Sequence, residues 1–149
     1  MTHEERNTYV AIFTNLFVMG YFIMRLIRLD GEGAFDAPDG LAVWAQTVLW
    51  IIPASIVMTI VLTIVFNILF AIATREESPS FVVDERDKMI GRRGMMATIF
   101  VASGGFILAL IALAFGWTAF FALNVILFAF AGGDLFGSLF KLFFYRRGY

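Results

Sequence analysis

One carboxylate stands where a carboxylate is costly. Asp134 is the single acid inside the apolar run 117–144, and a charged side chain at the centre of a membrane helix costs at least ~2.5 kcal/mol. Such a group has to face protein, water or a cation. Candidate neutral partners are Asn15, Asn67 and Thr98, each in another apolar run, while Arg92, Arg93 and Lys141 could reach it from the nearer boundary. Two chemistries follow: a hydrogen-bonded pin between helices, or a carboxylate that takes up protons or cations. Asp134 stands about ten residues from the end of its run, and a lone carboxylate makes a poor relay, so the pin is the stronger expectation.

Other chemistry is scarce. Cysteine is absent and His3 is the only histidine, so thiolate, imidazole, haem and His-rich metal sites are not expected. The expectation is a chain with no catalytic residue, metal or cofactor, hence no enzyme. The acids Asp30, Glu32, Asp36 and Asp39 lie in a Gly- and Pro-rich turn. They lack the alternating oxygen spacing and closing glutamate of a calcium loop. Arg25 and Arg28, one helical turn apart, can snorkel or pair with those acids.

The second candidate is polar. In the stretch 78–88, Pro79 stops the preceding run, Asp84 is placed as an N-cap, and Glu85 and Asp87 suit the positive end of a helix dipole. Asp84 and Lys88 form an i,i+4 pair. With Arg86, Arg92 and Arg93 they compose the largest polar surface the chain offers, one suited to a soluble protein partner and not to direct nucleic-acid contact. Val83-Asp84-Glu85-Arg86-Asp87, followed by Ile90 and Arg93, resembles the Asp-Glu-Arg-acid signature of a family of small bacterial four-helix membrane proteins of unknown function. Members of that family are often encoded beside helix-turn-helix transcription regulators. Gly91-Arg92-Arg93-Gly94 stands where they often have an alanine-rich turn. The resemblance implies a regulatory or accessory role.

The elements that must position these residues are long apolar helices. At 60% hydrophobic and 17% aromatic, the chain is far richer than the roughly 45–50% of a soluble domain. Runs 8–29, 42–73, 95–115 and 117–144 each reach the ~20 residues that cross a bilayer core. The expected fold is all-α: one membrane domain over 1–149, a four-helix antiparallel bundle with helices near 8–29, 42–73, 84–115 and 117–145 and a cytoplasmic connection over 74–94. The mixed-charge start and the length of the first run speak against a cleaved signal. Nine basic residues fall on the side of both termini and two, Arg25 and Arg28, on the other. The positive-inside rule therefore expects a multi-pass protein of the bacterial inner (plasma) membrane with both termini cytoplasmic.

Within the run 42–73, Trp44 and Trp50 suit the interfacial belt, and Pro53 suits a break between an interfacial and a spanning part. Mirroring the last two runs about Gly116-Trp117-Thr118 sets Gly104 and Gly105 level with Ala129, and Asp134 level with residues 98–100. Ala129, Gly133 and Gly137 recur every four residues, a stripe for close packing within the hairpin or in a homodimer. The first functional expectation is a membrane regulatory or scaffold protein whose cytoplasmic face holds a soluble partner, such as a transcription regulator. The alternative is a small oligomeric transporter or channel with Asp134 as its ionisable group.

Overall fold

The computed structural model describes residues 3–74 and 84–147. Over them the chain is helical: α1 (His3–Gly31), α2 (Gly40–Thr74), α3 (Glu85–Ala114) and α4 (Ala119–Arg147). All four helices are long and apolar enough to cross a membrane, α2 being the most apolar. Arg75 and the connection through Val83, including Pro79, lie outside the described residues.

Local chemistry sets each helix end. α1 begins at His3, more than a turn before the expected Thr8. Glu4 and Glu5 complement the positive end of its dipole, and the Thr8 hydroxyl is satisfied within the helix by donating to the Glu4 carbonyl at 2.8 Å. Asn15 consequently sits roughly three turns into α1. α1 and α3 end in the same device. The Ala34 N–H donates to Leu29 O (3.0 Å) and Gly33 N–H to Asp30 O (2.9 Å), while Trp117 N–H donates to Ala112 O (3.0 Å) and Gly116 N–H to Leu113 O (3.0 Å). Both are Schellman closures, and their left-handed positions, φ +71° and φ +83°, are filled by Gly33 and Gly116. Thr118 Oγ1 accepts from the Phe121 N–H at 3.2 Å and opens α4.

α2 is continuous through Pro53 for 35 residues and does not divide there. A proline deletes one bond of the ladder, here that of the Leu49 carbonyl, and the rest of the ladder carries the helix across it.

α3 packs along α4, α4 along α1, and α1 along α2. α4 and α1 are central. α2 is peripheral, and none of its most apolar stretch is buried within the protein. The seam between α3 and α4 is built from small residues. A methyl group at Gly105 would overlap the Ala129 side chain, one at Gly133 would stand 2.9 Å from the Thr98 carbonyl, and one at Gly137 would stand 2.6 Å from the Gly94 carbonyl and collide with Thr98 Oγ1. Gly94 in turn lies against the aliphatic stem of Lys141, and Ala102, Ala109, Ala112 and Ala122 are buried. Gly104 is not part of this contact. It is exposed with open space beside it, because one residue along a helix turns the side-chain direction about 100° away from Gly105.

Candidate functional site

Because α4 stays helical to Arg147, Asp134 lies at its middle and not toward its end. Its Oδ2 accepts from Asn15 Nδ2 at 3.2 Å, and the same amide nitrogen donates to the Ala131 carbonyl at 2.9 Å. An asparagine amide has two donor hydrogens, so both are used in clamping α1 onto α4. The hydrogen bond from Asn15 is the one polar contact of Asp134 among the described residues. The Lys141 stem packs on Gly94, and Arg93 stacks on the Phe144 ring with 5.0 Å to its centroid.

Asp134 and Asn15 border a cavity of about 390 Å³ between α1, α2 and α4. Its walls are apolar, with Val18, Met19 and Phe22 from α1, Ile51 and Ile52 from α2, and Leu127 and Phe128 from α4. Its polar lining is Thr14, Asn15, Ser55, Thr59 and Asp134. Thr14 is only 8% exposed, and its Oγ1 has no hydrogen-bond partner. Asn15 Oδ1 is likewise buried without one. On α2, Ser55 Oγ donates to Ile52 O (2.7 Å) and Thr59 Oγ1 to Ser55 O (2.8 Å). Their hydrogens are thus spent within the helix, and their lone pairs remain. Asp134, Ile52 and Thr59 are exposed, so the cavity is open at the side.

Asn67 and Thr98 do not belong to this polar layer. The Thr98 hydroxyl donates to the Gly94 carbonyl at 3.2 Å inside the α3–α4 seam. Asn67 follows Phe66, whose ring meets Phe13 at 5.4 Å, and lines no part of the cavity. Mirroring the hairpin matched α4 to α3, but Asp134 is on the face of α4 turned toward α1. Sequence reasoning also missed Thr14, Ser55 and Thr59. The legible signal was Ser55, Thr59 and Thr63, a polar stripe at i,i+4 spacing along α2. Trp44 is a further correction: it is 8% exposed and its Nε1 donates to Asn124 Oδ1 at 3.0 Å, tying α2 to α4. Trp50, by contrast, is 77% exposed.

The charged start of α3 presents less free surface than its sequence suggests. Asp84 caps the helix: its carboxylate accepts from the Glu85 N–H (2.7 Å), and its own N–H donates to Asp87 Oδ2 (3.4 Å) in a capping box. That use of Asp84 replaces the expected pair with Lys88. Asp87 is 5% exposed. Arg86 donates to the Tyr145 carbonyl (3.4 Å), and Arg146 donates to the Tyr9 hydroxyl (2.9 Å). Glu85, Lys88 and Arg92 remain exposed. Arg28 pairs with Glu32 at 2.9 Å, and the acids of that turn are exposed. Among the described residues, no group of three His, Cys, Asp or Glu is placed to hold a metal ion. Comparison of the chain with family models, with curated proteins and with solved structures found no match.

Proposed function

We propose that this chain is an integral membrane protein whose four helices cross the inner membrane as an antiparallel bundle, with both termini on the cytoplasmic side. Its working part is the cavity at mid-helix, where the Asp134 carboxylate binds a cation, as in a small transporter. The observation that carries this reading is the position of Asp134. It stands in the middle of the most central helix, on a side-opening cavity, with one neutral donor for its two oxygens. A pin alone would be better served by a donor on each oxygen and a closed surround. The test is charge displacement in proteoliposomes on a solid-supported membrane, after concentration jumps of protons, sodium or an organic ammonium ion. At least one series should displace charge in the wild type and not in Asp134→Asn. Absence of any Asp134-dependent signal would overturn the reading.

A second reading has its own support. Glu85, Lys88 and Arg92 project from a firmly capped helix start, and the signature over 83–87 resembles that of small membrane proteins encoded beside transcription regulators. A scaffold role for this face would show as retention of a soluble protein by the tagged chain in mild detergent. Combined charge reversal at Glu85, Lys88 and Arg92 should abolish that retention.

A further inference from the structure

The polar groups around the cavity are unequal in kind. The two N–H hydrogens of Asn15 are committed to Ala131 O and Asp134 Oδ2. The hydroxyl hydrogens of Ser55 and Thr59 are committed to carbonyls of their own helix. What the lining offers besides is acceptors: the carboxylate of Asp134, an exposed residue, and the lone pairs of Ser55 and Thr59, while Asn15 Oδ1 lies buried beside them without a partner. The one uncommitted donor is the buried Thr14 hydroxyl, which accepts as readily as it donates. An occupant that supplies N–H donors and a positive charge complements this acceptor-rich lining.

We infer that the cavity binds a lipophilic ammonium ion: an amine carrying N–H hydrogens at Asp134 and an apolar body along Val18, Phe22, Ile51 and Phe128. This rests on the cation-binding reading above and names its ligand class. Three observations select this class over an inorganic cation. The volume, about 390 Å³, lies in the range of about 300–1,000 Å³ of cavities that hold organic ligands. Most of the lining is hydrocarbon, which offers a metal ion nothing. The oxygens are spread over three helices around that space instead of converging on a point. The open side exposes Ile52 of α2, the helix with the most apolar surface, so a membrane-dissolved amine can enter from the hydrocarbon. A lipid headgroup fits poorly, because its phosphate would meet a carboxylate and acceptor atoms at mid-depth.

The experiment is equilibrium binding of radiolabelled 4-phenylbutylammonium to the full chain in phosphatidylcholine nanodiscs, with empty nanodiscs subtracted. Two competitors share its body: 4-phenylbutan-1-ol, which lacks the charge, and 4-phenylbutyltrimethylammonium, which lacks the N–H donors. The primary ammonium should bind saturably at one site per chain, and Asp134→Asn, the nearest neutral isostere, should weaken it by at least about tenfold, as expected for loss of a charge-assisted bond. Both competitors should displace it at least about tenfold less well than the unlabelled amine, for the same reason. Equal binding to Asp134→Asn, or equal competition by either the alcohol or the trimethylammonium analogue, would overturn the inference. Proton- or sodium-driven charge displacement that depends on Asp134, without amine binding, would overturn the ligand class and leave the cation-binding reading standing. Absence of both would remove both.

Discussion

The seam between α3 and α4 offers a sharp quantitative test, because it sets two neighbouring kinds of glycine against each other. At Gly137 an added methyl would lie 2.6 Å from the Gly94 carbonyl and overlap Thr98 Oγ1. At Gly132 the same methyl would meet nothing within 4 Å. Both are interior to one helix, so the gain in helix propensity from Gly→Ala, up to about 1 kcal/mol, is common to the two. The difference is the overlap. To restore an ordinary separation of ~3.5 Å the helices must part by the better part of an ångström, and overpacking of this size costs about 1–3 kcal/mol. In a bilayer that loss is serious, since close packing replaces the hydrophobic effect as the force between helices. Gly137→Ala should therefore be less stable than Gly132→Ala by about 1–3 kcal/mol, measured by reversible unfolding in mixed micelles or by steric trapping in bicelles. Gly133→Leu, which drives a longer chain at the Thr98 carbonyl, should fall at or beyond the upper end. Equal stabilities for Gly137→Ala and Gly132→Ala would refute the assignment of this stripe to the seam.

Three further outcomes follow. Asp84→Ala removes the side-chain half of the capping box, leaving the backbone N–H bond to Asp87, and should lower the local stability of the first turns of α3 by about 0.5–2 kcal/mol, read as faster amide exchange over residues 85–88 with slow exchange kept at 98–110. Trp44→Phe leaves Asn124 Oδ1 without its donor and should cost about 1–3 kcal/mol; a cycle with Asn124→Leu should show the two losses to be strongly non-additive, and additive losses would dissolve the link between α2 and α4. Single cysteines at Ala37 and Glu85, both exposed, should label from opposite faces of intact cells, and labelling of both from outside would overturn the proposed topology.

The helices themselves were legible in the sequence, and so was much of their punctuation. Long apolar runs need no tertiary partner to declare themselves, because the hydropathy of a spanning segment is a local property. The same holds for Asp84, whose cap is made with residues one and three positions along, and for the turn at Gly116, where a left-handed position selects glycine whatever the neighbours do. The start of α1 escaped because Glu4, Glu5 and Thr8 look like a polar tail. The fit of Glu4 and Glu5 to the helix dipole does not register as hydropathy. The period of a lone helix also told Gly105 and Gly133 only as members of a stripe, and it took the partner helix to exclude Gly104. The polar site was legible only in part. Asp134 and Asn15 were visible as costly residues in apolar runs, but depth and rotation decide their company. Asp134 faces α1, away from the hairpin partner that chain order suggests. Its layer therefore draws Thr14, Ser55 and Thr59 from two helices distant in sequence and leaves Thr98 and Asn67 elsewhere. Rotation about a helix axis is set by packing against neighbours, and no run of residues read singly contains it.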